Sequence, residues 1–272
     1  MTDRYCVFGN PIGHSKSPSI HAAFARQTGQ DIEYTAILAP LDGFSDSVRS
    51  FIAAGGKGAN VTVPFKQEAY DLATCLTPRA ELAGAVNTLV FGENEIVGDN
   101  TDGYGMLRDI TVNLGCPVAG KNILLLGAGG AARGVIGPLL EEKPSALTVA
   151  NRTQAKAEAL QQQFTHLGPI AACSYDALAG RSFDIIIDGT STSLNATMPP
   201  LPDGLFAPGS LAYTMMYGQS GSPFRTFAEA QGAERFSEGL GMLVEQAAEA
   251  FYVWRGIRPD GKPVMDWLQA KQ

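Results

Sequence analysis

The sequence is poor in the residues from which metal centres and disulfide frameworks are built. Only 3 histidines and 4 cysteines occur in 272 residues, and Cys6, Cys75, Cys116 and Cys173 stand far apart with no C-x-x-C pair. Neither a zinc site nor a disulfide framework is indicated, and reduced structural thiols are expected. His14 and His21 have no third ligand at a recognised spacing, so hydrogen-bonding or helix-start roles are preferred and no metal is assigned. Basic residues are the minority: 20 Lys and Arg against 27 Asp and Glu leave a net charge of −7. That balance lacks the cationic footprint of phosphate-backbone binding, and nucleic acid is not an expected partner. No stretch approaches the roughly 18 uninterrupted apolar residues of a membrane span, and Met1 to Gly9 has neither the cationic start nor the apolar run of a secretory signal. A cytoplasmic location is the expectation, and the acidic charge is compatible with a monomer or a homodimer.

Glycine and apolar residues are plentiful. The 31 glycines exceed the roughly 7% average, and 45% hydrophobic against 17% charged residues is ample for a buried core. At this length one large or two modest domains are expected. Short apolar runs alternate with helical patterns, which predicts an α/β fold with mostly parallel sheets. Strands are expected at Tyr5 to Phe8, Ile32 to Leu38, Ala59 to Val63 and Ala85 to Phe91, with a first helix opening at Ser17-Pro18. The run Gly98 to Gly103 closes this first unit, and a helix-like segment from Tyr104 to Leu114 leads into a second. There the pattern reads strand Asn122 to Leu126, helix to Leu140, strand Ala146 to Ala150, helix Gln154 to Phe164, then strands near Ile170 and at Asp184 to Ile187. A last long helix, Leu240 to about Arg255, carries an apolar stripe at i, i+3, i+4 spacing and must bury it.

Three segments carry chemistry. Ile123 to Leu126 run straight into Gly127-Ala128-Gly129-Gly130-Ala131-Ala132 and an apolar helix, which fits the G-x-G-x-x-G/A dinucleotide turn in its strand, turn, helix context. The glycines give the tight turn and let backbone N–H groups close on a pyrophosphate at the helix's positive end. At the end of the next strand, where an NAD enzyme usually places a carboxylate, stand Asn151-Arg152-Thr153. A guanidinium suits a ribose 2′-phosphate, so NADP is favoured, and Lys156 one turn on either adds charge or is simply solvated. In the first unit, Ser15 and Ser17 lie between a strand end and a helix start, where a carboxylate is favoured, although Ser17 before Pro18 also reads as an ordinary N-cap. Lys66 follows a buried strand, and Asp102 sits in a polar run longer than a turn needs; together they are suited to handle one proton.

The combination resembles the shikimate dehydrogenase family. The matching segments are NPIGHSKSP (10–18), GANVTVPFK (58–66), GAVNTL (84–89), GDNTDG (98–103), GAGGAAR (127–133), NRT (151–153) and EGLGMLVEQAA (238–248), nearly end to end. The resemblance implies reversible NADP-dependent reduction of 3-dehydroshikimate to shikimate. It implies a substrate-binding domain at 1–103 completed by helices within 239–272, a Rossmann NADP-binding domain at 104–238, and catalysis in the cleft between them. By the same resemblance Lys66 and Asp102 are the catalytic pair, Ser15 and Ser17 hold the substrate carboxylate, and Thr62, Asn87, Tyr217 and Gln246 surround the ring. Gly127, Ala128, Gly129, Gly130 and Ala131 cradle the pyrophosphate, Asn151, Arg152 and Thr153 take the 2′-phosphate end, and Thr190, Met215 and Gly239 lie near the nicotinamide.

Three positions depart from the family pattern. Asp188-Gly189-Thr190-Ser191 replaces the usual Asn-Ala-Thr-Ser, adding a negative charge beside the expected cofactor. Tyr213-Thr214-Met215 replaces Tyr-Asp-Met, and Ala22 follows His21 where Asn is common, which is expected to thin the polar shell around the substrate. These changes leave two other readings open beside the leading one: a divergent paralogue acting on quinate or a related cyclic hydroxy acid, or with weak shikimate activity, and a non-catalytic dinucleotide or shikimate sensor.

Overall fold

The computed structural model describes residues 2–190, 198–218 and 222–271. The chain divides into two compact units, one formed by Met1–Gly105 with Leu243–Gln272 and the other by Met106–Met242.

In the first unit β1 (Asp3–Gly9) leads to α1 (Ser17–Thr28), β2 (Ile32–Leu38), α2 (Phe44–Ala53), β3 (Gly56–Val61), α3 (Lys66–Leu72), β4 (Cys75–Leu76), α4 (Pro78–Ala83), β5 (Thr88–Phe91), β6 (Ile96–Asp99) and α5 (Asp102–Arg108). The sheet order is β2-β1-β3-β5-β6-β4. β1 runs parallel to β2 and β3, whereas β5 is antiparallel to both β3 and β6. Asn60 pairs with Thr88, and Thr88 with Asp99. The ends of β3 and β6 and the beginning of β5 therefore meet at one end of the sheet, where the polar segments emerge. Helix α1 buries Ile20, His21, Phe24 and Ala25 along one stripe and stops at Gly29, whose φ of 65° provides a left-handed end that a side chain would strain.

In the second unit Asp109–Asn113 form one π turn, followed by β7 (Asn122–Leu126), α6 (Gly130–Glu141), β8 (Ala146–Ala150), α7 (Gln154–Phe164), β9 (Ile170–Cys173), β10 (Phe183–Asp188), β11 (Phe206–Thr214), α8 (Pro223–Ala230) and β12 (Arg235–Glu238). All six strands are parallel in the order β12-β11-β10-β7-β8-β9. Ile123 to Leu126 are fully buried, as expected for a central strand covered on both faces. The chain moves outward from β7 through β8 to β9 and then crosses back to β10. The crevice beyond β7 and β10 is thus the topological switch point at which such sheets take their ligands.

The chain ends in α9 (Leu240–Arg255) and α10 (Lys262–Gln269). The part of α9 in the first unit covers the sheet: Phe251 meets Phe24 edge-on at 6.0 Å, and the Trp254 indole N–H donates to the Leu89 carbonyl at 3.0 Å. Gly58 makes this approach possible, since a Cβ there would lie 2.5 Å from Trp254 Nε1. Each fully buried phenylalanine contributes about 1.5–3 kcal/mol through removal of apolar surface from water.

Candidate active site

Lys66 is the first residue of α3, placed there because Thr62 to Phe65 leave β3 and turn. Its Nζ lies 2.6 Å from Asp102 Oδ2. Asp102 opens α5 instead of sitting in a loop. The two side chains are 33% and 21% exposed, so the pair remains reachable by a solute. Asp102 Oδ1 accepts a bond from Asn87 Nδ2 at 2.9 Å, and the same amide reaches Gln246 Oε1 at 3.4 Å. Asn87 Oδ1 accepts from the Thr101 N–H at 2.9 Å and the Thr88 hydroxyl at 2.8 Å. Thr88 in turn accepts from Asn60 Nδ2 at 3.1 Å, and Asn60 Oδ1 accepts from the Tyr34 hydroxyl at 2.7 Å. One hydrogen-bonded chain therefore runs from Tyr34 on β2 to the lysine. Burial raises the Tyr34 phenol well above its ordinary value, against a smaller opposing effect of Ser17.

Of the residues expected around a substrate, Lys66, Asp102, Asn87 and Gln246 are thus in one cluster, and Ser17 is buried at the start of α1 near Tyr34. Ser15 Oγ accepts the Ser17 N–H at 3.3 Å, but the N-cap position is Lys16, with no side-chain cap bond, and Ser17 is the first helical residue and not the N-cap that its place before Pro18 suggested. Thr62 packs its methyl against Gly9, where a Cβ would lie 2.5 Å away. Tyr217 belongs to the second unit and is half-buried, its phenol pushed up by burial. Ala22 lies on the exposed face of α1, outside the stripe through which Ser17 and His21 are buried, so it does not thin this cluster. His21 is fully buried and stacks on Tyr34 at 4.1 Å. Desolvation lowers its imidazole to about 3, against a smaller opposing effect of Asn60, and it is held neutral.

The second unit contains a cavity of about 480 Å³ at the switch point, lined by Gly127 to Ala131, Asn151, Arg152, Gly189 and Thr190 among others. Gly127 has φ 100°, and a Cβ there would come within 3.1 Å of the Gly189 carbonyl, so glycine is required both by conformation and by contact. At Gly129 and Gly130 a Cβ would meet nothing within 4 Å: bare backbone faces open space at the first turn of α6. These residues fit a pyrophosphate, whose charge the helix N-terminus favours. Asn151 Nδ2 donates to the Thr153 carbonyl at 2.9 Å and fixes the turn that presents Arg152. Met215 packs its sulfur 3.3 Å from the Cβ position of Gly189, and Gly239 passes so close to the Met215 backbone that a Cβ would lie 2.3 Å from its carbonyl oxygen.

The departures in this unit are neighbours. Asp188 and Thr214 are register partners across β10 and β11, and both are buried. Asp188 Oδ1 accepts both the N–H and the hydroxyl of Thr190, at 3.0 and 2.6 Å, so this oxygen is engaged with its own loop. Thr214 Oγ1 accepts the Met216 N–H at 3.3 Å. Ser191 lies outside the described residues. Sequence reasoning missed Tyr34 and Thr88, assigned no role to Asn60, and missed Tyr175, which lines the cavity beside Arg152. Asn60 carried a usable signal: an amide inside an apolar strand must find buried partners.

Fold and geometry together define an α/β protein with a Rossmann dinucleotide-type unit and a lysine–aspartate polar site. Residues 7–89 match the shikimate dehydrogenase substrate binding domain, 111–197 the shikimate / quinate 5-dehydrogenase domain and 239–266 the shikimate 5′-dehydrogenase C-terminal domain. The chain is 63% identical over 271 residues to a shikimate dehydrogenase (NADP(+)) of Dechloromonas aromatica, covering 100% of this chain and 99% of the relative. It is similar to an Ael1 enzyme from Pseudomonas putida (49% identity, TM-score 0.94, 98% of each chain). It is also similar to shikimate 5-dehydrogenase from Thermus thermophilus in complex with NADP(H) and shikimate (31% identity, TM-score 0.85, 97% of this chain and 98% of that one). The chain belongs to the shikimate dehydrogenase family.

Proposed function

We propose that the protein catalyses the reversible NADP-dependent reduction of 3-dehydroshikimate to shikimate, with Lys66 and Asp102 as its acid/base pair. The observation that carries this reading is the 2.6 Å contact of Lys66 Nζ with Asp102 Oδ2, held in a network of oriented amides and hydroxyls. Bound NADPH supplies the hydride that the carbonyl carbon accepts. Lys66 gives its proton to the ketone oxygen as that oxygen becomes a hydroxyl, and in the reverse direction the neutral amine takes the proton back. Asp102 holds the ammonium in place and stabilises its charge.

Ser15 and Ser17 receive the substrate carboxylate at the start of α1, and Thr62, Asn87, Gln246 and Tyr217 meet the ring and its hydroxyls. Gly127 to Ala131 would hold the cofactor's pyrophosphate, Asn151, Arg152 and Thr153 its 2′-phosphate, and Thr190, Met215 and Gly239 would lie by its nicotinamide end. The enzyme works on a small molecule as a monomer or homodimer in the cytoplasm, a compartment in keeping with four free thiols. The test is steady-state kinetics with shikimate and quinate, each with NADP and NAD. Highest kcat/KM for shikimate with NADP supports the assignment. A preference for quinate moves the substrate, and coenzyme binding without turnover of either indicates a sensor.

A further inference from the structure

Arg79, on α4, plays no part in the chemistry above, yet it is joined to both chain segments that flank Asp102. Its Nε and Nη2 form a two-pronged bond to Asp99, each prong 2.6 Å, and its Nη1 reaches Glu249 Oε1 on α9 at 2.7 Å. Asp99 is buried at the end of β6, three residues before Asp102, and its Oδ1 also accepts from the Thr77 hydroxyl at 2.6 Å and the Asn100 N–H at 2.7 Å. The residues that follow are pinned in their turn. Asn100 Oδ1 accepts the Asp102 N–H at 3.1 Å, and its amide donates to the Ala85 carbonyl at 2.9 Å. On the other side Glu249 stands one helical turn from Gln246, which Asn87 reaches, and it also binds Arg258. The Arg258 guanidinium lies 5.1 Å from the ring centre of Tyr104, two residues beyond Asp102.

Burial alone would raise the Asp99 carboxyl, but the Arg79 bonds and charge outweigh it and hold it below its ordinary value, an anionic anchor. A buried ion pair of this kind adds little net stability over an apolar packing of the same volume, so stability is a weak reason for it to be here; fixed geometry is the better one. We propose that Arg79 is a positioning residue: its fork on Asp99 sets the Asp102 carboxylate opposite Lys66. This deepens the proposed reaction and rests on it for its catalytic consequence. A displacement of about 1 Å at a reacting group costs as much as about 10²-fold in rate.

The test is Arg79→Lys, which keeps the charge and loses the fork, beside Asp99→Asn, which keeps an acceptor at Oδ1 and loses the anion. In variants with the parent's circular dichroism, kcat for shikimate oxidation should fall by about ten- to a hundredfold, with KM for NADP within about twofold of the parent. The pH dependence of kcat should shift as well. Independently of turnover, the pH dependence of Lys66 acylation by a small anhydride, followed by mass spectrometry, should move relative to the parent. If one variant does not fold, the other decides. Variants that melt earlier but keep the parent's kcat, pH profile and Lys66 reactivity would overturn the assignment and leave Arg79 a structural residue. A parent without turnover would instead contradict the proposed reaction, and the acylation profile would still decide the role of Arg79.

Discussion

Asn87 donates to Asp102 Oδ1 at 2.9 Å, leaving Oδ2 free for the Lys66 ammonium at 2.6 Å. The amide is oriented from its other side by Thr88 and Thr101, so it holds the carboxylate in one rotamer. Asn87→Leu keeps the branched shape and removes these bonds. It should lower kcat by about ten- to a hundredfold and raise KM for shikimate, with KM for NADP unchanged. Steady-state kinetics with each substrate varied in turn checks this; an effect confined to the NADP KM would contradict it.

Arg152 lines the cavity next to the bare glycine turn and is the expected partner of the 2′-phosphate. Charge-assisted bonds of this type contribute about 1.5–3 kcal/mol. Arg152→Ala should therefore raise KM for NADP by about ten- to a hundredfold and leave KM for NAD nearly unchanged. Equal changes for both coenzymes would remove Arg152 from the phosphate.

The carboxylate of Asp188 serves Thr190, and asparagine at that position can also accept those bonds. Asp188→Asn should keep KM for NADP at or below the parent's value, whereas Asp188→Ala, which releases Thr190, should raise it. An increase for Asn as large as that for Ala would show that the charge itself is needed.

His21 gives a pH dependence of known sign. Its imidazole titrates at about 3 in the folded protein against 6.5 for an unperturbed histidine. Between these values the unfolded chain binds a proton that the folded one does not, so stability falls as pH falls, by about 1.4 kcal/mol per pH unit. This contribution is absent above about pH 6.5 and is complete near pH 3. His21→Phe, which keeps an aromatic ring against Tyr34, should reduce the drop in melting temperature between about pH 7 and about pH 5. An unchanged drop would place the titration elsewhere.

Legibility in the sequence followed burial. Strands Asn122–Leu126 and Ala146–Ala150 and helices Gln154–Phe164 and Leu240–Arg255 occur at the expected residues, because continuous apolar runs and a clean helical stripe leave one way to bury them. The strand expected at Ala59 to Val63 instead spans Gly56–Val61. Gly56 and Gly58 belong to it, where Phe51 and Trp254 pack so closely that a Cβ would collide. The strand expected from Ala85 starts at Thr88, since the Val86 N–H is drawn to the Lys66 carbonyl. β11 has no counterpart among the expected strands, because Pro208 and Gly209 interrupt its apolar pattern. At the site, motif residues were legible one by one, but the bonds from Tyr34 through Asn60 and Thr88 to Asn87, and from Arg79 to Asp99, join distant segments through sheet register and helix packing, which no local pattern encodes.

The most direct measurement is kcat for NADP-linked shikimate oxidation by Lys66→Ala, with coenzyme affinity titrated separately. Loss of a group that moves the proton should lower kcat by about 10²–10⁴ while the dissociation constant for NADP stays at the parent's value. A kcat within about threefold of the parent would contradict the account, because the proton would then travel by another route.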